Sequence, residues 1–211
     1  MKKIIYSITF FCITNLILAQ NPILNIHTED FADIENAYYK DSDNFYNQFI
    51  GTWIYTDAFK TIRFRFVKRE MFYRQSVKNC YVDYLIGEMQ YIENGVEKIN
   101  SLSKLNNSHT EIFEYSIYSY GKAHFSSYPK CVECPENVQR ISMRYNEPTN
   151  DDVGLDAAFI IRRADENGVQ KIKIQYILTN GALGVKDDWQ TPSTTTNFTI
   201  PYGDYTFVRE Q

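Results

Sequence analysis

Two cysteines three positions apart, Cys131 and Cys134, form the motif with the clearest chemical potential in the sequence. A C-x-x-C pair can close a small disulfide loop, supply half of a zinc site, or act as a redox couple. A thioredoxin-like couple needs its first cysteine at a helix N-terminus, whereas Pro129 and Pro135 flank this pair in a loop-like setting. A disulfide-closed loop between strands is therefore the prediction, with metal binding and redox chemistry as the alternatives.

The other residues that could bind a metal or take part in catalysis are scattered along the chain. Cys80, His27, His109 and His124 show no zinc-ligand spacing and no catalytic-triad order, and no G-x-S-x-G motif is present. The acidic stretch 150–156 could offer oxygen ligands to calcium, but its spacing does not match an EF-hand, and a solvated loop is the preferred interpretation. We predict no catalytic residue, no metal site and no cofactor, and hence a non-enzymatic protein.

Residues 1–19 have the features of a signal peptide. Lys2 and Lys3 precede an apolar run from residue 4 to residue 18, and Ala19 supplies a small residue at the expected cleavage point. The run is shorter than the ~20 residues that a membrane span needs. No cysteine stands at the cleavage point, where a lipoprotein would carry one. We therefore predict export to the periplasm or the extracellular space without a lipid anchor.

Composition favours one acidic, strand-rich domain. The 211 residues carry a formal charge of −4, which becomes −6 when the two lysines of the predicted leader are removed. This charge disfavours nucleic acid and anionic membranes as partners. The 17 Tyr and 14 Phe favour strands, because aromatic side chains suit pleated, half-buried surfaces. Nothing in the sequence specifies an oligomeric state.

The mature chain shows the alternation of half-buried strands. Phe64 and Phe66 alternate with Arg63 and Arg65. Residues 139–145 repeat the pattern with Arg140 on the polar side, and residues 170–178 repeat it with lysines there. An outer-membrane barrel would carry an apolar band on that second face. The basic residues there predict a barrel that is not an integral membrane protein.

Turn signals separate nine or ten predicted strands. Asn94-Gly95 and Asn167-Gly168 tolerate the positive φ angles of tight hairpins, and Gly121 is interpreted as a third hairpin turn. The predicted organisation is a signal peptide at 1–19, an extension with one short helix at 20–49, and an antiparallel β-barrel domain at 50–211. A β-sandwich is the alternative architecture.

The two ends of the predicted barrel carry a paired signature. A G-x-W motif, Gly51-Thr52-Trp53, follows the short helix, and Arg209 stands in the last strand. This arrangement resembles the lipocalin-like (calycin) barrels. The resemblance implies an up-and-down barrel in which Trp53 plugs the floor, Arg209 packs on the indole, and Gly51 permits their close approach. All three are then structural closure residues.

A narrower resemblance covers most of the mature chain. Ala19-Gln20 at the end of the leader, Gly51–Trp53 and Phe207–Glu210 are similar to the corresponding segments of small secreted proteins common in flavobacteria. Those proteins have no known function. The resemblance therefore points to no known activity.

The inward-facing aromatic residues could either line a ligand cavity or fill a solid core: Phe64, Phe66, Phe113, Tyr115, Tyr145 and Tyr176. The first hypothesis is a binding module that holds a small apolar or amphipathic ligand in the barrel interior. Its opening would lie away from Trp53, near the loop 180–197. The second is a structural or interaction protein with a filled core, acting through surface loops such as Cys131–Cys134 or through Tyr118 and Tyr120.

Overall fold

A computed structural model describes residues 21–124, 126–149, 155–180 and 197–210. The predicted signal peptide and most of the loop 180–197 lie outside the described residues. The structure is all-β, with no helix of seven or more residues in the described ranges. Within those ranges, no helix is long and apolar enough to cross a membrane.

The described residues form eleven strands and three short 3-10 helices. The strands are β1 (Ile23–Asn25), β2 (Tyr38–Lys40), β3 (Gly51–Thr56), β4 (Lys60–Arg74), β5 (Cys80–Glu93), β6 (Val96–Asn100), β7 (Ile117–Ala123), β8 (Arg140–Tyr145), β9 (Asp156–Arg163), β10 (Lys171–Asn180) and β11 (Gly203–Arg209). The 3-10 helices span Phe45–Gln48, Leu102–Asn106 and Ile112–Glu114. The predicted N-terminal helix is therefore one 3-10 segment.

Eight of these strands close into an antiparallel barrel. Their order is β5-β4-β3-β11-β10-β9-β8-β7, and pairing of β7 with β5 closes the circle. β6 forms a hairpin with β5, while β1 and β2 add parallel strands beyond β5. The prediction of a single antiparallel barrel is confirmed, and the sandwich alternative is not adopted.

Because successive side chains of a strand point to opposite faces, every second side chain lies inside the barrel. Phe64 faces Met89 across β4 and β5, and Phe66 faces Gly87. Both phenylalanines are buried, whereas Arg65 between them is exposed. Burial of this aromatic face supplies the main driving force for folding, since its apolar surface leaves water.

The N-terminal segment closes one end of the barrel. Phe45, Tyr46 and Phe49 are buried in the same core as the inner faces of the strands. Asp41 accepts hydrogen bonds from the backbone N–H groups of Phe45 (2.9 Å) and Tyr46 (3.1 Å), which fixes the start of the 3-10 helix. The segment thus acts as a plug beside Trp53.

A buried ionic cluster ties this plug to β4 and β5. Lys68 lies 3.3 Å from a carboxylate oxygen of Asp41 and 3.6 Å from one of Asp83. Asp83 also accepts hydrogen bonds from the Tyr38 hydroxyl (2.6 Å) and the Met71 backbone N–H (3.1 Å). Burial alone would lower the pKa of Lys68, but the two carboxylates outweigh it and raise that pKa. The cluster makes the plug part of the barrel.

Two of the three predicted hairpin turns are present. Asn94 and Gly95 have φ angles of 51° and 76° between β5 and β6, and Asn167 and Gly168 have 52° and 77° between β9 and β10. The prediction for Gly121 is wrong, because this residue lies inside β7 at a register shift against β8. A glycine that accommodates a β-bulge gives the same sequence signal as one in a turn.

Candidate functional site

The barrel end marked by Trp53 is where the first and last barrel strands meet. Register pairs Trp53 on β3 with Arg209 on β11. The indole is fully buried and donates its N–H to the Phe49 carbonyl at 2.8 Å. The guanidinium carbons of Arg209 and Arg163 lie 5.8 Å and 5.1 Å from the centroid of the indole ring. Both cations are close enough for a cation–π interaction.

Gly51 leaves the space that the Arg209 side chain occupies. A Cβ atom at this position would lie 3.1 Å from a guanidinium nitrogen of Arg209. The glycine also has a φ of +132°, which side chains rarely adopt. Arg209 donates in addition to the Gln170 side-chain oxygen at 2.6 Å. The geometry assigns these residues to the junction between strands.

The predicted cavity residues on the strands pack against one another. The ring of Phe159 lies 5.1 Å from that of Phe64, 5.0 Å from that of Tyr145 and 4.7 Å from that of Tyr176. Phe66 in turn stacks on Phe64 at 5.7 Å. Ring centroids at these distances are in direct contact and leave no room for a ligand between them. At this level the barrel interior is a packed core.

The other two predicted cavity residues, Phe113 and Tyr115, lie just before β7 and not on a barrel strand. Phe113 sits on a 3-10 helix with 59% of its surface exposed, so the prediction that it faces the interior is wrong. Apolar alternation here does not mark a strand, because Ile112–Glu114 is a 3-10 helix. Tyr115 is buried and packs edge-to-face on His109 at 4.6 Å, just before β7 begins.

The packed interior predicts a cost for one added methyl group. An alanine Cβ at Gly87 would lie 2.5 Å from the Phe66 ring, so Gly87→Ala should lower the free energy of unfolding by about 1–3 kcal/mol. Urea denaturation measures this loss. Adding Phe66→Leu should recover part of it, because the smaller side chain leaves the ring's space. A Gly87→Ala protein as stable as the parent would contradict the tight packing of the interior at Phe66.

A groove of about 460 Å³ lies outside this core, between the N-terminal segment and β7. We call it the tyrosine groove. It is lined by Ile26, His27, Phe31, Tyr46, Arg74, Tyr84, Ile112, Tyr118, Ser119, Tyr120, Gly121 and Arg144. Its walls thus combine four phenols with two guanidinium groups.

The tyrosine groove is built by side chains from separate parts of the chain. Tyr118 on β7 is directly opposite Arg144 on β8. The Arg144 guanidinium carbon lies 4.9 Å from the ring centroid of Tyr120, which is 70% exposed. In the same lining, the Arg74 guanidinium carbon lies 5.7 Å from the ring centroid of Phe31. Each cation therefore lies beside an aromatic face at the edge of the groove.

Burial favours the neutral forms of three tyrosines and one histidine that line the groove. It raises the pKa of Tyr84 to about 12, and it raises the pKa values of Tyr46 and Tyr118. The pKa of His27 is lowered, first by burial and then by the charge of Lys122. The Nε2 atom of His27 is buried and has no hydrogen-bond partner among the described residues. At neutral pH the groove thus offers phenol donors, a neutral imidazole and two guanidinium groups, of which that of Arg144 also lies 3.9 Å from the exposed carboxylate of Asp156.

The cysteine motif lies in the segment between β7 and β8. Cys131 and Cys134 are at disulfide distance, with their Cα atoms 5.3 Å apart, while Cys80 is a buried free thiol. The described residues contain no group of three or more His, Cys, Asp or Glu side chains that could hold a metal ion. The geometry therefore favours the disulfide-loop interpretation of this motif.

Arg140 supports this loop, and sequence alternation did not reveal that role. The pattern predicts it on the water-facing side of β8, but only 1% of its surface is exposed. Its guanidinium donates to the carbonyls of His124, Ser127 and Pro129 and to the Gln175 side chain. The segment before β8 folds over the arginine and hides it. Only the loop's path, which has no periodic signal, could have indicated this.

Comparison with known proteins identifies a family but no function. Residues 1–210 match a protein family described as a family of unknown function (DUF6705). The chain belongs to this family. No curated protein and no solved structure matches it. The closed eight-stranded barrel fits a lipocalin-like fold, whereas a flavobacterial origin stays a prediction.

Proposed function

We propose that this protein is an exported, non-enzymatic binding module that holds one small amphipathic ligand in the tyrosine groove. The observation that carries the proposal is the combination of tyrosine faces with two guanidinium groups in one groove of about 460 Å³. Ligand sites typically pair an apolar, aromatic lining with a few polar groups that set orientation. The barrel then serves as the rigid scaffold that positions the groove.

The lining specifies the chemistry of the ligand. Tyr120 and Phe31 present aromatic faces that suit a flat, apolar body. Arg144 and Arg74 suit an anionic group such as a carboxylate or sulfonate, because a guanidinium can donate two parallel hydrogen bonds to it. We therefore expect an aromatic anion to bind more tightly than its uncharged analogue.

Export forms part of the proposal. The predicted signal peptide at 1–19 supports it, and so does a cysteine pair at disulfide distance, because disulfides persist in oxidising compartments. The packed aromatic core argues for a ligand outside the barrel wall rather than inside it. That core equally suits the second hypothesis, an interaction protein that acts through surface loops.

Two fluorescent probes of matched shape test the groove. 8-Anilinonaphthalene-1-sulfonate is anionic, and N-phenyl-1-naphthylamine is its uncharged analogue. Tyr120→Ala should weaken both probes, whereas Arg144→Gln should weaken only the anionic one, by about tenfold in Kd. Fluorescence titration of the purified protein measures each Kd, and near-ultraviolet circular dichroism checks that every variant is folded.

Matched controls make the result specific. Tyr128→Ala and Arg65→Gln change an exposed tyrosine and an exposed arginine outside the groove, and both should leave the two Kd values unchanged. Binding that is insensitive to Tyr120 and Arg144, or no binding of either probe, would contradict the tyrosine groove as the ligand site.

A further inference from the structure

A second groove, of about 560 Å³, lies between the disulfide loop and the outer face of β9, β10 and β11. We call it the basic groove. Its charged lining residues in the described ranges are Lys130, Glu133, Arg140, Arg162, Lys173 and Asp204. Four are cations and two are acids, in a chain whose formal charge is −4. It shares no lining residue with the tyrosine groove.

One glutamate of the protein itself already sits on these cations. The Glu133 carboxylate accepts hydrogen bonds from the Arg162 guanidinium at 2.5 Å and from the Lys173 ammonium at 3.0 and 3.1 Å. These bonds lower the pKa of Glu133, with Lys173 the larger cause. The basic groove is therefore able to bind a carboxylate, and Glu133 shows where that group sits.

This internal ligand is weakly held. The Glu133 side chain is 60% exposed, whereas that of Arg162 is only 13% exposed. Ion pairs with an exposed partner contribute little to stability, because water competes for both charges. Arg162 is thus held in the barrel wall, while Lys173, which is 39% exposed, and the Glu133 carboxylate are open to solvent and to exchange.

The loop that carries Glu133 is anchored on both sides of the exchangeable side chain. Cys131 and Cys134 bracket it at disulfide distance, and Arg140 holds the backbone just before the loop through the Pro129 carbonyl at 2.7 Å. Release of Glu133 then needs only a side-chain rotation. The rest of the basic groove keeps its shape.

We propose that the basic groove binds an acidic peptide segment of a partner protein, with a glutamate or aspartate of that segment replacing Glu133 on Arg162 and Lys173. A peptide is favoured over a simple anion because the seated group is a glutamate side chain. The groove also extends beyond the two cations to Lys130, Thr206 and Gln175, which can contact neighbouring peptide groups. This inference goes beyond the proposed small-ligand function and does not depend on it.

The test removes the internal competitor. Ac-Glu-Glu-Glu-NH2 is titrated into the purified protein at low ionic strength by isothermal titration calorimetry, with Ac-Gln-Gln-Gln-NH2 as the uncharged control. Glu133→Gln should lower the Kd for the acidic peptide by about fivefold. Adding Arg162→Gln to Glu133→Gln should abolish this gain. Glu166→Gln, which frees Lys171 from a similar exposed pair outside the groove, should leave the Kd unchanged.

Three outcomes would overturn the proposal. The acidic peptide binds none of the variants, or it binds the parent, Glu133→Gln and Glu166→Gln with the same Kd. The third is a Kd for inorganic phosphate as low as that for the peptide, which would make the groove a simple anion site. Circular dichroism of each variant shows that a lost interaction is not a lost fold.

Discussion

Replacing Trp53 with alanine should lower the free energy of unfolding by about 3–5 kcal/mol, as expected for truncation of a buried aromatic side chain. The indole is fully buried, contacts the N-terminal plug through the Phe49 carbonyl, and lies where β3 pairs with β11. Urea denaturation followed by far-ultraviolet circular dichroism measures the change. Trp53→Phe should lose less stability than Trp53→Ala, because it keeps a buried aromatic ring. Some loss should remain, because the N–H donor to the Phe49 carbonyl is removed.

A double-mutant cycle tests whether Trp53 and Arg209 act together. Arg209→Ala alone should cost less than Trp53→Ala, and the double variant should lose less than the sum, by about 0.5–3 kcal/mol. Lys98→Ala on the exposed strand β6 is the control, and its effect should add to that of Trp53→Ala. Additive losses for Trp53 and Arg209 would show that their contact does not stabilise barrel closure.

Alkaline pH should destabilise the protein strongly through its buried tyrosines. Burial raises the folded-state pKa of both Tyr84 and Tyr205 from 10 to about 12. A raised pKa means stability that is present below pH 10 and is lost as pH rises through 12, because the unfolded chain ionises first. Ionisation of Tyr84 should cost about 1.4 kcal/mol at pH 11, relative to neutral pH, and ionisation of Tyr205 should add a loss of the same sign.

Denaturation midpoints at pH 8, 10 and 11 measure this dependence. Tyr84→Phe keeps the ring and removes the ionisable group, so its stability should fall less steeply above pH 10 than that of the parent. Tyr128→Phe removes a phenol that is 80% exposed and is the matched control. A Tyr84→Phe protein with the parent's pH dependence would contradict the buried, neutral state of that phenol.

Local patterns in the sequence determined the fold class. The alternation of Phe64 and Phe66 with arginines predicts the two faces of β4, because a strand turns successive side chains to opposite sides. Asn94-Gly95 and Asn167-Gly168 predict hairpins, because both dipeptides accept positive φ. These signals depend on neighbours in the chain, and a single sequence contains them in full.

Contacts between distant segments leave no periodic or turn signal in the sequence, so they become visible only in the folded structure. The alternation at β8 predicts a hydrated Arg140, yet a loop covers it. Lys68 joins Asp41 to Asp83 across the plug, and nothing local pairs these three charges.

For the same reason, neither candidate site can be predicted from the sequence. The tyrosine groove brings His27 and Tyr120 into one lining, and the basic groove brings Glu133 onto Arg162 and Lys173. Sequence patterns could name aromatic residues for a barrel interior but could not show that those rings fill it. Side-chain periodicity determines which face a residue occupies, whereas chain path and packing determine what covers that face. Alternation and turn signals therefore predicted the strands, their two faces and the all-β class, whereas the two grooves proposed as binding sites arise from contacts between segments that are distant in the sequence.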